Sequence, residues 1–347
     1  MRIVQALGSS RRGGAERFFT RLARSFHEAG IAQRLLVRGG HWAEAQLVEA
    51  GVPVDRAYFG GTLDVFTRLK FRRVLADHKA DIALTWMRRA ASACPKGPWL
   101  HVGRLGNYYD LKAFGGCDHL IANTPGIADY IRNGGWPAER VSYIPNFVPL
   151  IRADPVPRAA LDTPAGVPLI LWLGRMEREK GPDIVVRALA MTPEAWLWMA
   201  GDGSMFEEVK RLAAEIGVAP RIRFLGWRDD IHALLASADI FAFASRFEAL
   251  GNGILEAWSH GVPVVAARSP GPEHLISHGE TGFLVANDNP DDMADAFNML
   301  LIDANLRKTL GKAGYQHFLM TYSEDAIRAQ YVALFGSLLS SGQRGVA

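Results

Sequence analysis

Short apolar runs alternate with helical segments along the first part of the chain. Runs with the length and composition of strands occupy residues 2–7, 34–37, 81–86, 99–103, 119–123 and 141–144. Between most of them, apolar residues recur at helical spacing, as at residues 15–29, where Gly30 marks the helix end. Strands that alternate with helices predict a parallel sheet covered on both faces, and such sheets bind ligands at the carboxyl ends of their strands.

The same alternation returns in the second part of the chain. Strand-like runs occupy residues 169–173, 195–201, 221–225, 239–244, 262–267 and 281–285, and helical patterns follow at 290–301, 306–318 and 324–339. Between the two alternating regions, residues 145–168 contain six prolines, which discourage regular structure and indicate a domain boundary. We therefore predict an N-terminal domain over 1–150, a linker over 151–168, a second domain over 169–320, and a helix with a disordered tail over 321–347.

Length and composition indicate which class of protein this is. The chain has 347 residues, of which 49% are hydrophobic and 22% charged, as expected of a globular protein with two domains. No apolar run approaches the ~20 residues of a membrane span, and the first residues do not resemble a signal peptide. Cys94 and Cys117 provide neither a disulfide framework nor metal-ligand spacing. These features predict a cytoplasmic protein.

Charge is unevenly distributed between the two halves. Residues 1–150 contain 21 Lys and Arg and 12 Asp and Glu, a net charge of +9, whereas the remainder contains 18 and 24, a net charge of −6. A basic half suggests an anionic partner, which leaves anionic lipid, phosphorylated glycolipid and nucleic acid as candidates. Because no RNA-binding or DNA-reading motif is apparent, we predict no nucleic-acid partner.

The helical segment over residues 66–75 concentrates this charge. Its basic residues alternate with apolar ones and are Arg68, Lys70, Arg72 and Arg73. A basic amphipathic helix can lie on an anionic membrane surface, which would make the protein peripheral on the inner face of the membrane. The alternative is a helix of the domain whose basic face is simply solvated.

Residues 245–267 carry the most specific chemistry in the sequence. A buried-type strand leads into a loop with Glu248, Gly251 and Gly253, then into a helix that contains Glu256, and then into the next strand. Unpaired N–H groups and a partial positive charge at a helix start suit a phosphate, and glycines allow its close approach. Carboxylates accept hydrogen bonds from sugar hydroxyls. The arrangement suits a nucleotide sugar.

This segment resembles the signature of retaining glycosyltransferases of the group 1, family 4 type. Two glutamates stand eight positions apart, and the residues that follow also match: Ala257, Gly261, Pro263 and Val264. The resemblance implies a GT-B fold, in which two Rossmann-like parallel-sheet domains face each other across a cleft and the last helix crosses back to the first domain. An ordinary strand–helix pair with a solvated Glu248 is the alternative.

The resemblance also implies roles for individual residues of the second domain. Arg175 and Lys180 follow its first strand with the spacing of the cations that stabilise a departing nucleoside diphosphate. With Glu248, which is expected to hold the transferred sugar, they form the predicted catalytic set. Glu256 is expected to hold the ribose. The predicted donor-binding residues are Gly174, Gly201, Gly203, Leu250, Gly251, Asn252 and Glu256.

In the first domain the match to the family is less complete. Gly13 and Gly14, in a glycine- and arginine-bearing loop after the first strand, resemble a loop that lets acceptor or donor phosphate approach. Many relatives place a histidine just past a later strand, near the reacting sugar, and here Arg104 takes that position. We expect Arg104 to supply positive charge there. His101, three residues earlier, is interpreted as a packed strand residue.

These observations predict a retaining hexosyltransferase. It would move a sugar from a nucleotide sugar, most simply a UDP-sugar, to a hydroxyl of a glycan or glycolipid in lipopolysaccharide or surface polysaccharide biosynthesis. No acidic pair stands where a metal is wanted, so we predict no metal requirement and no cofactor beyond the donor. Two alternatives stay open: a nucleotide-sugar-binding protein without transfer activity, and a sugar-nucleotide epimerase.

Overall fold

The computed structural model describes residues 1–10, 13–61 and 64–341 and divides the chain into two units. The N-terminal unit contains Met1–Asn146 and the segment that begins at Glu324, and the C-terminal unit is Phe147–Ser323. Arg11 and Arg12 of the predicted phosphate loop lie outside the described residues, as do residues 342–347 of the predicted tail.

The N-terminal unit is built on a parallel sheet whose strand order is β3-β2-β1-β4-β5-β6-β7. Its strands are β1 (Arg2–Leu7), β2 (Ala32–Arg38), β3 (Val54–Ala57), β4 (Ile82–Trp86), β5 (Leu100–Leu105), β6 (His119–Ala122) and β7 (Val141–Tyr143). Its helices are α1 (Gly14–Glu28), α2 (Trp42–Glu49), α3 (Val65–Asp77), α4 (Met87–Ala93), α5 (Pro125–Asn133) and α13 (Glu324–Ser340). The sequence pattern missed β3, because this edge strand buries little besides Ala57 and so lacks an apolar run.

Burial on both faces explains why the central strands read as continuous apolar runs. Every residue of β4 is buried, and α1 covers the sheet with the apolar stripe of Phe18, Phe19, Leu22 and Phe26. Each such side chain contributes roughly 1.5–3 kcal/mol when it leaves water. This core fixes the carboxyl ends of β1 and β4, between which the strand order reverses.

The C-terminal unit repeats this design with the strand order β10-β9-β8-β11-β12-β13. Its strands are β8 (Leu169–Leu173), β9 (Trp196–Ala200), β10 (Ile222–Gly226), β11 (Ile240–Phe243), β12 (Val264–Ala267) and β13 (Phe283–Val285). Its helices are α6 (Pro182–Ala190), α7 (Phe206–Glu215), α8 (Ile231–Ser237), α9 (Asn252–Ser259), α10 (Pro270–Leu275), α11 (Pro290–Ile302) and α12 (Ala304–His317). The order reverses between β8 and β11, which is where open α/β sheets bind ligands.

The proline-rich segment is not a free linker. Residues 151–168 belong to the C-terminal unit, where Arg158 forms an ion pair with Asp239 at 2.8 Å. The indole N–H of Trp198 donates to Thr163 Oγ1 at 2.8 Å. The prolines interrupt regular secondary structure, but these two side-chain contacts attach the segment to the sheet. The sequence pattern could not indicate contacts between such distant residues.

The last helix completes the N-terminal unit. Tyr331 of α13 is fully buried, packs edge-to-face on Phe26 of α1, and accepts a hydrogen bond from Arg104. Arg328 of the same helix donates to Ser25 Oγ at 3.0 Å. The N-terminal unit is therefore assembled from both ends of the chain.

Candidate active site

The loop that follows β8 touches the loop that follows β11. Gly181 has a φ of +60°, and a Cβ atom there would lie 2.1 Å from the carbonyl oxygen of Ala244. Only glycine fits such an approach, because any side chain would overlap the backbone of the other loop. Gly181 and Ala244 are 63 positions apart in sequence (244 − 181), so this contact holds two distant loops together at the reversal point of the sheet.

An ion pair joins the same two loops. Lys180 Nζ lies 2.5 Å from Glu248 Oε2, and both side chains are largely buried. The other carboxylate oxygen of Glu248 accepts from the backbone N–H of Leu250 at 3.3 Å, and its backbone carbonyl accepts from Gly271 at 2.7 Å. The structure therefore brings together two of the predicted catalytic residues and fixes the orientation of the Glu248 carboxylate.

Arg246 provides a third contact between these loops. It forms ion pairs with Asp183 at 2.8 Å and Asp288 at 2.6 Å and donates to the carbonyl of Arg178. Burial opposes ionisation of Asp183, but the hydrogen bonds from Arg246 outweigh it and lower the pKa of Asp183. Sequence reasoning missed Arg246, although a charged residue three positions after a buried strand was a usable signal.

Helix α9 begins beside this ion pair. Gly251, with a φ of +80°, is the residue before its first turn, and Asn252 is its first residue. The side-chain Oδ1 of Asn252 is buried and has no hydrogen-bond partner among the described residues. Glu256 lies one turn further along the helix and is partly buried. The start of α9 thus presents unpaired backbone N–H groups and an unsatisfied polar side chain.

Glycines after β9 let a third loop approach the first. A Cβ atom on Gly201 would lie 1.7 Å from the carbonyl oxygen of Gly174, and one on Gly203 would lie 2.6 Å from that of Met176. Glu177 accepts a hydrogen bond from Ser204 Oγ at 2.6 Å, which lowers the pKa of Glu177. The predicted donor glycines therefore serve close packing between the loops at the carboxyl ends of β8 and β9.

Arg175 differs from the other cations of this site. Its side chain is exposed and forms no ion pair or hydrogen bond within the part of the chain that the structure describes. It stands on the same loop as Lys180, whose charge is already matched by Glu248. The loop after β8 therefore offers one paired and one unpaired cation near the start of α9, which suits a ligand with several negative charges.

In the N-terminal unit, the expected loop position of Arg104 is wrong. Arg104 lies within β5, is 2% exposed, and is sandwiched between the rings of Phe18 at 4.5 Å and Trp86 at 4.6 Å. It donates to the hydroxyl of Tyr331 at 2.7 Å and to Asn146 Oδ1 at 2.6 Å. The prediction failed because β5 extends beyond the apolar run and includes Arg104. The buried guanidinium links β5 to α13.

The other N-terminal predictions have different outcomes. Gly13 precedes α1 and donates its N–H to the buried carboxylate of Glu16 at 3.1 Å, whereas a Cβ atom on Gly14 would meet open space. His101 is a packed strand residue, as interpreted, because it contacts Thr85 Oγ1 at 2.9 Å and the Gly116 carbonyl at 3.0 Å. Burial lowers the pKa of His101 to about 4, so it is neutral at pH 7.

Sequence reasoning also missed a small arginine-lined cavity at the carboxyl ends of β3 and β4. It has a volume of about 240 Å³, and its charged lining residues are Arg68, Arg88, Arg89 and Asp64, whose carboxylate accepts from backbone N–H groups. Two non-glycine residues at these strand ends, Phe59 and Met87, adopt positive φ angles of 49° and 64°. Such conformations cost on the order of 1–3 kcal/mol each and concentrate at functional sites. We call this cavity the arginine pocket.

Comparison with known proteins identifies the family. A model described as Glycosyltransferase Family 4 matches residues 12–152, and one described as Glycosyl transferases group 1 matches residues 156–317. The lipopolysaccharide core biosynthesis glycosyltransferase LpsE of Rhizobium meliloti (strain 1021) is 36% identical over 331 residues, which cover 94% of this chain and 96% of that protein. The chain belongs to the group 1, family 4 type of glycosyltransferases.

Further relatives agree with this assignment. The glycosyltransferase is 33% identical over 339 residues to the lipopolysaccharide core biosynthesis glycosyltransferase LpsD of the same organism, with 96% of each chain covered. The crystal structure of Anabaena Alr3699/HepE in complex with UDP matches with a TM-score of 0.83 and 22% identity over 97% of this chain and 100% of that one. At this identity the likeness shows the fold alone, and the predicted GT-B fold class is confirmed.

Proposed function

We propose that this glycosyltransferase moves a sugar from a nucleoside diphosphate sugar to a hydroxyl of a glycan or glycolipid, with retention of the anomeric configuration. The observation that carries the proposal is the Lys180–Glu248 ion pair beside the start of α9, at the reversal point between β8 and β11. There, a diphosphate would meet Lys180, Arg175 and the N–H groups of the first turn of α9, and Glu248 would accept from the transferred sugar.

The charge of the site suggests how the reaction proceeds. As the bond between the anomeric carbon and the phosphate oxygen breaks, negative charge grows on the diphosphate, and the cations of the loop after β8 stabilise it. The acceptor oxygen then bonds to the anomeric carbon from the same face and passes its proton to the departing phosphate. In this scheme no protein nucleophile is needed, and Glu248 orients both Lys180 and the sugar.

A uridine nucleotide is the proposed donor. The solved structures that support this choice are those of Anabaena Alr3699/HepE with UDP and with UDP-glucose. The acceptor is proposed to belong to lipopolysaccharide or another surface polysaccharide, because the relatives LpsE and LpsD are lipopolysaccharide core biosynthesis glycosyltransferases. We further propose a hexose as the transferred sugar and no metal requirement, since side-chain cations are positioned to carry the charge that a metal would carry.

The acceptor is proposed to bind at the N-terminal unit through an anionic group. Arg88 and Arg89 of the arginine pocket form no ion pair within the described segments, and Arg68 donates only to the carbonyl of Ser92 at 3.1 Å. Unpaired guanidinium groups at the carboxyl edge of a parallel sheet suit a phosphate or carboxylate on the acceptor. Gly13 and Gly14 lie at the carboxyl edge of the same sheet.

Peripheral contact with an anionic membrane is proposed for α3. Its exposed apolar side chains, Phe66 and Leu69, lie beside Arg72 and Arg73. Lys70 pairs with Asp55 at 3.1 Å and Arg73 with Asp77 at 3.6 Å, so these two cations contribute less than Arg72. Within residues 1–10, 13–61 and 64–341, every helix is too short or too polar to span a membrane.

A donor screen tests the proposal. A UDP-sugar at about 100 times its dissociation constant should raise the free energy of unfolding by roughly 2.7 kcal/mol, whereas GDP-sugars should have a smaller effect. Transfer is then measured with a purified lipopolysaccharide core acceptor before and after chelator treatment. Activity restored only by a divalent ion would refute metal independence.

The same assay separates the two alternatives. Donor binding without transfer to any acceptor would favour a nucleotide-sugar-binding protein, and conversion of the donor without an acceptor would favour an epimerase. The anomeric configuration of the product, read by proton NMR coupling constants, decides whether transfer retains it.

A further inference from the structure

A second cavity lies in the C-terminal unit at the far end of α9. Its volume is about 780 Å³, and its walls are residues 150–154, the carboxyl end of α9 and the adjoining α12. Helix α9 begins at the candidate active site and ends at this cavity with Ser259 and His260. At 1.5 Å per residue, the helix separates the two places by roughly 12 Å. The cavity is therefore not part of the donor site.

The cavity is lined by cations that lack partners. Arg152, Lys308 and Lys312 form no ion pair or hydrogen bond through their side chains within the described part of the chain. Lys308 and Lys312 stand four positions apart on α12, where like charges repel each other by a few tenths of a kcal/mol. Asp154 is the acidic residue of the wall and is unpaired as well. The walls therefore have an excess of positive charge that nothing in the described chain neutralises.

Apolar surface lies next to these cations. Leu150 and Ile151 are 46% and 42% exposed and form part of the wall. The ring of Tyr315, one turn beyond Lys312 on α12, adds a further partly apolar surface. A cavity of this size is within the range that binds small organic molecules. Cations beside exposed aliphatic side chains match a ligand that has an anionic group and an apolar part.

We propose that this cavity binds an organic phosphate whose phosphate group contacts Lys308, Lys312 and Arg152 and whose apolar part covers Leu150 and Ile151. A phosphate fits better than a carboxylate, because it has up to two charges and three acceptor oxygens for three cations. A soluble phosphate ester and a lipid headgroup share this chemistry. The site is separate from the donor site, so a ligand here would bind together with a nucleotide.

Calorimetric titration of the full chain with dodecyl phosphate, below its micelle concentration, tests the proposal with and without saturating UDP. We expect binding in both cases. Lys308→Ala with Lys312→Ala should weaken it at least about tenfold, equivalent to 1.4 kcal/mol, and Asp154→Asn should strengthen it. The matched control replaces Lys210 and Arg211, two exposed cations of α7, with alanine and should leave the affinity unchanged.

Further arms identify the source of the phosphate and the outcomes that refute the site. Cosedimentation with vesicles that contain phosphatidic acid, weaker in the Lys308/Lys312 variant than in both the parent and the control, would indicate a lipid headgroup, because α3 is unchanged in all three proteins. Binding of dodecyl phosphate with cosedimentation that does not depend on Lys308 and Lys312 would indicate a soluble ester. Displacement of dodecyl phosphate by UDP, equal loss in variant and control, or no binding would overturn the proposal. The titration without UDP does not depend on a donor. The phosphate site would therefore remain valid even if the proposed function were wrong.

Discussion

Cations near the carboxyl ends of the central strands have different partners in the two units. In the C-terminal unit, Lys180 and Arg246 pair with carboxylates of other loops, so that three separate segments are held in one arrangement. In the N-terminal unit, Arg104 is buried against neutral partners, and Arg88 and Arg89 have no carboxylate partner in the described chain. Ion pairs therefore pre-organise the proposed donor site, whereas no ion pair fixes the arginines of the proposed acceptor pocket before a ligand binds.

The largest effect is expected when Lys180, the cation paired with Glu248, is replaced. Lys180→Ala removes the charge that we assign to the departing diphosphate, so kcat should fall about 10²–10³-fold, by analogy with the loss of one transition-state donor. Steady-state kinetics with saturating donor measure the change. Lys210→Ala, which removes an exposed lysine of α7, is the control and should retain full activity. An unchanged kcat in Lys180→Ala would exclude this residue from the chemical step.

Substitution of Gly181 tests whether the loops after β8 and β11 are held rigidly against each other. Gly181→Ala would place a Cβ atom 2.1 Å from the Ala244 carbonyl at a φ of +60°, and we expect it to lower the free energy of unfolding by about 3 kcal/mol. Gly14→Ala is the matched control, because open space surrounds its Cβ position. Denaturant titration compares the two variants, and similar stability would show that the loops adjust freely.

Buried His101, one of two buried histidines of the N-terminal unit, predicts a dependence of stability on pH. Because burial lowers the pKa of His101 from 6.5 to about 4, the unfolded chain takes up a proton at higher pH than the folded chain does. Stability should therefore be lost as pH falls from 6.5 towards 4, by on the order of 2–3 kcal/mol for this group. His101→Asn should reduce the slope in that window, and an unchanged slope would contradict the assignment.

The smallest effect concerns the arginine pocket. Replacing Arg88 and Arg89 together with alanine should raise the KM for an anionic acceptor about tenfold or more, because charge-assisted hydrogen bonds are lost. The KM for the donor should stay the same, since the C-terminal unit is untouched. Initial rates at varied concentrations of each substrate separate the two constants. If only the KM for the donor changed, the arginine pocket would not bind the acceptor, and the proposed division between the two units would be wrong.

Local patterns determined much of this protein before any tertiary contact was known. Apolar runs such as residues 169–173 predicted both parallel sheets, because strands buried on two faces must be apolar throughout. Glu248, Glu256, Arg175 and Lys180 were recognisable because their spacing is read along the chain. Edge strand β3 was missed, since its residues are mostly not buried and its pairing with β2 is long-range.

Tertiary structure alone decided how the charges pair. Lys180 and Glu248 are 68 positions apart, and Arg104 and Tyr331 are 227 apart, so no local periodicity reports their contact. Arg104 is a structural cation because β5 extends through it and α13 covers it. Arg88 and Arg89, in the first turn of α4, instead line a cavity and form no ion pair among the described residues. The chemical character of a charged residue depends on its partners, and partners are chosen by the packing of distant segments.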